Sequence, residues 1–193
     1  MHSELFDETI LPHLDAAHNL ARWLVPDRDD AEDVVQEACL RAFRYFGSFR
    51  GVNPRAWLLS IVRTTAFKWL EKGGAQHLTT EFHEEMHGDG PQAFDPEAAL
   101  LRRADTQLLE ETMHRLPHRL REVLVLRELE GLSYKEIAEV VGIPTGTVMS
   151  TLFRAREGFR QAASELVKRR ARAKGSSDLS QAELAELAPC RPE

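Results

Sequence analysis

Five consecutive residues near the middle of the chain, HEEMH at positions 83 to 87, have the spacing of a zinc peptidase signature. In that signature two histidines one helical turn apart bind Zn²⁺, and the glutamate between them acts as general base. Here His83 and His87 would be the ligands and Glu84 the base, with His77 as a further ligand. The chemistry would be metal-dependent hydrolysis.

The segment that contains the motif argues against this chemistry. Residues 71 to 100 carry seven acids and one base, and apolar periodicity fails between Glu71 and Pro96, where glycine and proline accumulate. A metallopeptidase needs its motif on a rigid helix in a formed cleft. We therefore predict an acidic linker over residues 71 to 96, with no catalytic residue, no metal site and no cofactor. Adventitious metal binding by His77, His83 and His87 stays open.

Charge is distributed unevenly along the chain. The net charge is −6, yet residues 101 to 174 carry fifteen bases and ten acids. A basic segment in an acidic protein indicates a local site for a polyanion, because a phosphate backbone attracts clustered Arg and Lys whatever the total charge. With 42% apolar residues, the chain can bury one moderate core or two small ones.

Cysteine content and hydropathy predict a reduced, cytoplasmic protein without membrane insertion. Cys39 and Cys190 are too few for a disulfide framework, and the first ten residues carry acids where a signal peptide carries bases. The longest apolar run, AWLLSIV, is much shorter than a membrane span. We expect Cys39 to be a small core residue of its helix.

The fold class predicted is all-α, because apolar residues recur at helical spacing and no segment alternates with a period of two. The first half should form three helices. One runs from Ser3 to Leu24 and ends at Pro26, one follows the acids of Asp27 to Asp30, and one opens at Pro54. On the third helix we expect the basic residues to face outward: Arg55, Arg63 and Lys68.

The second half contains a helix-turn-helix pattern, after an amphipathic helix at residues 97 to 116. Ser133 and Glu136 form a capping box, Gly142 suits a sharp turn, and a further helix starts near Thr145. Val148 should lie on its buried side. The exposed face carries residue types that contact DNA, namely hydroxyls, apolar surface and arginine: Thr145, Thr147, Met149, Ser150, Phe153, Arg154 and Arg156.

Two separated motifs resemble the extracytoplasmic-function sigma factors of bacterial RNA polymerase, in particular their envelope-stress branch. DAEDVVQEACLRAFRYFGSFRG, followed by NPRAWL, is similar to region two of that family, and LPHRLREVLVLRELEGLSYKEIAEVVGIPTGTVMSTLFRAR is similar to region four. The resemblance implies two small helical domains, region two at residues 1 to 70 and region four at 97 to 174. A linker at 71 to 96 would join them, and a tail would occupy 175 to 193.

The resemblance also implies roles for individual residues of the first half. Asp33, Gln36 and Glu37 match family positions that bind the clamp helices of the largest polymerase subunit; read without the family, they are a solvated helix face. The loop at residues 47 to 53 matches the loop that captures a base flipped out of the −10 element. Residues implied in −10 binding are Arg50, Asn53, Arg55, Arg63, Thr64 and Lys68. For Trp57 we favour packing over base stacking.

In region four, the resemblance implies that the exposed face of the second helix reads the −35 element. Relatives usually carry a basic residue at the position of Met149 and often Arg at Thr151, so the −35 sequence read here need not be the one that relatives prefer. In region two, Thr64 stands where many relatives carry Asn, which bears in the same way on the −10 sequence. The residues implied in −35 binding are Thr145, Thr147, Met149, Ser150, Phe153 and Arg154.

The function predicted is that of an alternative sigma factor with no catalytic activity. Implied partners are core RNA polymerase, promoter DNA and an anti-sigma factor. By the same resemblance, the acidic linker would thread the polymerase channels and imitate the charge of RNA; a simple spacer would also fit its composition. The alternative is a helix-turn-helix regulator that binds operators without polymerase, which would leave Asp33, Gln36 and Glu37 without a role.

Overall fold

A computed structural model of the protein describes residues 2–50, 52–72 and 96–186. The described residues are helical and contain no strand, which confirms the predicted all-α class. The α-helices are α1 (His2–Ile10), α2 (Leu14–Leu24), α3 (Arg28–Tyr45), α4 (Pro54–Glu71), α5 (Pro96–His114), α6 (His118–Leu124), α7 (Tyr134–Val141) and α8 (Thr145–Glu186). The HEEMH segment and Cys190 lie outside the described residues.

The prediction of a single helix from Ser3 to Leu24 is wrong, because this segment forms two helices. A 3-10 turn at Leu11–His13 separates α1 from α2. Pro12 lies in this turn, and proline lacks the N–H that an α-helix needs and clashes with the carbonyl four residues before it. The end of α2 agrees with the prediction, because Val25, just before Pro26, has extended backbone angles.

Side-chain caps fix the starts of the next two helices. The Asp27 carboxylate accepts the N–H groups of Asp29 and Asp30 at 2.8 and 3.3 Å, and α3 begins there. The Asn53 side chain accepts the N–H of Ala56 at 3.0 Å, and Pro54 occupies the first turn of α4. Caps of this kind satisfy N–H groups that have no partner inside the helix.

Aromatic side chains cluster at one end of the first half, near the loop that follows α3. Phe6 meets Phe43 and Phe46 edge-on, with ring centroids 5.1 and 5.3 Å apart. The ring centroids of Trp57 and Phe49 lie 5.0 Å apart, and Trp57 packs against the core. The packing role predicted for Trp57 is therefore confirmed. The predicted core role of Cys39 is also confirmed in part, because its half-buried side chain packs against the core and burial raises the pKa of its thiol.

A buried arginine joins the end of α5 to the first half of the chain. The Arg121 guanidinium donates to the carbonyl oxygens of Met113, His114 and Leu116, at 2.9, 2.8 and 3.2 Å. It also donates to the carbonyl of Trp23 in α2, at 3.0 Å. The last carbonyls of a helix have no partner within it, so Arg121 caps α5. Burial lowers the pKa of Arg121 to about 10, which leaves it charged at neutral pH.

The predicted helix-turn-helix is confirmed. Ser133 and Glu136 form both bonds of the capping box at the start of α7. Gly142 has φ 75° and ends α7, with its N–H bonded to the Ala138 carbonyl at 2.9 Å. Helix α8 begins at Thr145, and Val148 in α8 is fully buried as predicted.

The turn between α7 and α8 gives a stability prediction. Replacing Gly142 by alanine should destabilise the protein by about 1 to 2 kcal/mol, because a left-handed backbone costs that much once a Cβ is present. No atom lies within 4 Å of the added Cβ, so backbone strain is the whole effect. Urea unfolding followed by circular dichroism measures it. Gly146→Ala, in the first turn of α8 with equally open space, is the control and should be neutral or slightly stabilising. Equal stability of the two variants would contradict the prediction.

Helix α8 extends further than the sequence suggested. It continues through Gly175, the first residue of the predicted tail, as far as Glu186. Glycine inside a helix costs only about 1 kcal/mol, which the helix on either side can offset. None of the helices in the described part of the chain is both long enough and apolar enough to cross a lipid bilayer.

Candidate protein and nucleic-acid interfaces

One face of α3 presents polar side chains to solvent. Asp33, Gln36 and Glu37 are exposed, while the opposite face of the helix, with Val34 and Val35, is buried. The Glu37 carboxylate accepts from Arg41 at 2.6 Å, which fixes its direction. This agrees with the expected placement of the three residues on one helix face. The exposed Leu40 lies at the same face, one turn further along the helix.

Three of the residues predicted to bind the −10 element are open to solvent, namely Arg50 before α4 and Thr64 and Lys68 on α4. The Thr64 hydroxyl donates to the Ser60 carbonyl of its own helix at 2.8 Å, so only its methyl group and the oxygen lone pairs face outward. These three residues are accessible to a ligand without any rearrangement.

Asn53, Arg55 and Arg63 have a different environment. Arg63 donates through Nε and a terminal nitrogen to Glu122 of α6, at 2.8 and 3.3 Å. Arg55 forms an ion pair with Glu130, and Asn53 donates to Glu136 of α7 at 2.6 Å. The expectation that Arg55 and Arg63 face outward is therefore wrong, since both are half-buried against the second half of the chain. The reason is that α4 packs against the second half of the chain, and the periodicity of a sequence does not show which helices pack together.

The carboxylates in these pairs are more deeply buried than the cations. Side-chain exposure is 2% for Glu122 and 6% for Glu130, against 24% for Arg63 and 35% for Arg55. Burial raises the pKa of Glu122, and the hydrogen bonds from Arg63 oppose that rise. Glu130 also accepts a hydrogen bond from Asn19 in α2. Two buried acids of the second half are thus neutralised by groups from the first half.

Sequence reasoning did not single out Glu122 or Glu130. Their position in an apolar stretch, REVLVLRELE, was the available signal, because a carboxylate between buried residues requires a partner. The identity of the partner was not available, because the chain separation is 59 residues for Arg63 and Glu122 and 75 for Arg55 and Glu130.

The first turns of α8 present an uncovered face. Leu152 and Ala155 are buried together with Val148, whereas Met149 is 55% and Phe153 71% exposed. All the residues predicted for DNA contact in this helix are exposed: Thr145, Thr147, Met149, Ser150, Phe153, Arg154 and Arg156. This face combines exposed, large apolar side chains with hydroxyls and arginine. Such a combination suits contact with base edges and thymine methyls.

Within that face, the two arginines differ. Arg156 is held by Glu128, which accepts from its Nε and a terminal nitrogen at 3.0 and 2.7 Å. Arg154 lies against its own helix, with Nε 3.4 Å from the Ser150 carbonyl. Arg154 is therefore the cation of this face that can reach a ligand without breaking an ion pair.

Two family models match the chain. One, described as Sigma-70 region 2, matches residues 9–75, and the other, described as Sigma-70, region 4, matches residues 106–157. The first covers α2 to α4 with the exposed face of α3, and the second covers the helix-turn-helix.

Similar proteins with curated names agree with the two models. The RNA polymerase sigma-H factor of Pseudomonas aeruginosa is 38% identical over 170 residues, which covers 84% of this chain and 88% of that protein. The ECF RNA polymerase sigma-E factor of Escherichia coli K12 is 37% identical over 147 residues, covering 72% and 77% respectively. Among solved structures, the sigma factor RpoE of Bartonella quintana in complex with the anti-sigma factor NepR matches with a TM-score of 0.66 and 26% identity. That match covers 82% of this chain and 96% of RpoE.

Proposed function

This chain belongs to the extracytoplasmic-function sigma factors and is an alternative sigma factor that directs transcription initiation; on that basis we propose which of its surfaces binds each partner. The first half, residues 1 to 70, binds core RNA polymerase and the −10 element. The second half, residues 97 to 174, binds the −35 element. This assignment of two binding surfaces rests on one observation. The polar face of α3 and the recognition face of α8 are both exposed and lie on separate helices.

Core polymerase binds at Asp33, Gln36 and Glu37. The exposed Leu40 gives this face an apolar contact beside its carboxylates, as protein interfaces combine buried apolar contacts with hydrogen bonds. Arg41 holds Glu37 in one direction, so little side-chain entropy is lost on binding. Because core polymerase is a cytoplasmic enzyme, the protein acts in the cytoplasm. It supplies no catalytic group and works by positioning the polymerase on DNA.

The −10 element is bound by the basic surface at the start of α4 and along its length. A base flipped out of the duplex needs a preformed pocket and nearby positive charge to recover the few kcal/mol spent on unstacking. Phe49 of the loop at residues 47 to 53 packs against the rings of Phe46 and Trp57, which supports the loop. The residues assigned to the displaced strand are Arg50, Asn53, Arg55, Arg63, Thr64 and Lys68.

The −35 duplex is bound by α8, with its first turns in the major groove. Thr145, Thr147 and Ser150 supply hydroxyls to phosphates or base edges. Met149 and Phe153 supply apolar surface, and Arg154 supplies the cation.

An anti-sigma protein is the expected regulator. The structural relative RpoE of Bartonella quintana was solved with the anti-sigma factor NepR. By analogy, a protein of that class would block the α3 face or the α8 face until a signal removes it.

Run-off transcription tests the proposed function. The purified chain is added to core polymerase on genomic fragments, and discrete transcripts that core enzyme alone does not produce are expected. In parallel, the chain should co-elute with core polymerase in gel filtration. A chain that binds DNA fragments but neither co-elutes nor yields transcripts would instead be a polymerase-independent helix-turn-helix regulator.

Arg154→Ala should weaken holoenzyme binding to the promoters recovered in that assay by about 1 to 3 kcal/mol, the cost of losing an arginine that reads a base. The loss should depend on the base pair opposite Arg154. Fluorescence anisotropy on promoter duplexes with single changes in the −35 element measures this. Arg119→Ala, at an exposed position of α6, removes the same charge and should leave affinity unchanged. Equal losses for both variants would show that α8 does not read DNA through Arg154.

A further inference from the structure

Helix α8 continues well beyond the helix-turn-helix. The family model for region 4 ends at residue 157, whereas α8 extends to Glu186. Residues 158 to 174 carry six bases and one acid, in a chain whose net charge is −6. The contacts proposed for the −35 element do not include these bases.

The buried side of α8 keeps one direction through this extension. Val148 in the first turns is fully buried, and Leu166, 18 residues later, is 2% exposed. Eighteen residues make about five turns of an α-helix, so residues at that separation point the same way. The ion pair of Arg170 with Glu111, at 3.3 Å, holds α8 against α5 beside Leu166. The extension therefore presents the same side to solvent as the first turns do.

The solvent side of the extension carries cations in line with the proposed DNA contacts. Lys168 lies 18 residues after Ser150, and Arg172 lies 18 residues after Arg154; all four are exposed. We call Lys168 and Arg172 the distal cations. A rise of 1.5 Å per residue places them about 27 Å along the helix axis from the residues proposed to contact bases.

The distal cations differ from two other bases of the extension, whose charges are already paired. Arg160 forms an ion pair with Glu157, and Arg170 forms one with Glu111. The ion pairs of the described residues involve neither distal cation. A polyanion can therefore meet the distal cations without displacing an acid of the protein.

The change of residue type along α8 fits the shape of DNA. The major groove winds around the duplex axis and an α-helix does not, so a helix can follow the groove for only a few turns. Further along, its side chains pass over the sugar-phosphate edge, where phosphates rather than bases are within reach. Long cationic side chains replace Ser150 and Arg154 at that distance. Lysine and arginine bind phosphates without reading sequence.

On the basis of the proposed −35 role, we propose that the distal cations form a second DNA site on α8, which binds the phosphate backbone of the duplex beside the −35 element. Because each base pair advances the duplex by about 3.4 Å, this site lies within about eight base pairs of the base pair opposite Arg154. It adds affinity and fixes the direction of α8 on the duplex, and it has no sequence preference.

The test compares two variants of the full chain that lose the same charge. The distal variant is Lys168→Gln with Arg172→Gln. The control is Arg115→Gln with Arg170→Gln, which removes two cations that pair with acids where α5 and α8 meet. Fluorescence anisotropy of each free chain with labelled duplex DNA, over a series of salt concentrations, gives the affinity and its salt dependence. Circular dichroism checks that both variants keep the helical content of the wild type.

The distal variant should bind duplex DNA about tenfold more weakly, and its logarithmic salt slope should be shallower by about 1.8, since each lost phosphate contact removes about 0.9. The loss should be the same for duplexes that differ in the −35 sequence, unlike the loss expected for Arg154→Ala. The control should keep the wild-type slope. An unchanged slope in the distal variant, an equal decrease in both variants, or a wild type that does not bind duplex DNA at low salt would overturn the proposal.

Backbone footprinting locates the contact in the complex with core polymerase. Hydroxyl-radical cleavage of promoter DNA should show a protected stretch of backbone beside the −35 element, within about eight base pairs of the base pair opposite Arg154. The distal variant should lose this protection and the control should keep it. Protection that persists in the distal variant would contradict the proposal. Weaker assembly of the distal variant with core polymerase, at wild-type DNA affinity, would also contradict it and would indicate an acidic protein surface as the ligand.

Failure of this inference is distinguishable from failure of the proposed function. The salt dependence is measured on the free chain and needs no polymerase, whereas run-off transcription needs the polymerase and the promoter. Transcripts from the wild type, together with an unchanged slope in the distal variant, would refute the second DNA site alone. Absence of transcripts from the wild type would refute the proposed function and leave the salt result valid.

Discussion

A variant carrying Asp33→Asn, Gln36→Ala and Glu37→Gln is expected to lose assembly with core RNA polymerase and all run-off transcription. Removing one partner of a charge pair in a protein interface typically costs about 2 to 5 kcal/mol. With both carboxylates neutralised, affinity for core polymerase should fall at least about a hundredfold, which corresponds to about 2.7 kcal/mol. Fluorescence anisotropy of the labelled chain titrated with core enzyme measures the loss.

The fold of this variant should be intact. The three side chains are exposed, and none of them caps a helix. The Glu37 bond to Arg41 is an exposed pair four residues apart, a class worth only about 0.3 to 0.5 kcal/mol. Asp7→Asn with Glu8→Gln on α1 is the control, because it removes the same charge from exposed positions on another helix. Core binding that survives in the triple variant would refute the assignment of the polymerase face to α3.

Replacing Arg121 by methionine should destabilise the protein by about 2 to 6 kcal/mol. The change leaves the carbonyl oxygens of Met113 and Leu116 without the donor that reaches them inside the core, and each unsatisfied buried group costs about 1 to 3 kcal/mol. It also removes the bond to the Trp23 carbonyl of α2, so the two halves of the chain lose a contact. Chemical unfolding followed by circular dichroism measures the change.

Two further variants distinguish the cause of this loss. Arg119→Met, at an exposed position of the same helix, should alter stability by less than about 0.5 kcal/mol. Arg121→Lys keeps the charge but not the planar fork of donors, so it should remain strongly destabilising. Full stability of the lysine variant would show that charge alone, rather than the hydrogen bonds to the end of α5, holds the site together.

The helix-turn-helix was predictable from sequence almost residue by residue. Ser133, Glu136 and Gly142 each act on backbone groups within four residues of themselves, so their signals are local. The same holds for the caps at Asp27 and Asn53. Pro12 is the local signal that the sequence analysis missed, and a proline there was sufficient to predict the turn between α1 and α2.

The sequence by itself determined the fold class, most helix boundaries, the two faces of α3 and α8 and the family, because these depend on periodicity, capping and motifs within short stretches of chain. Only the tertiary structure decided that Asn53, Arg55 and Arg63 meet Glu136, Glu130 and Glu122. Those pairs join residues 83, 75 and 59 positions apart. No local rule relates residues at such separations, since their contact depends on how α4 packs against α6 and α7. A basic residue on a helix therefore has the same sequence pattern whether it meets solvent, DNA or a carboxylate of its own chain.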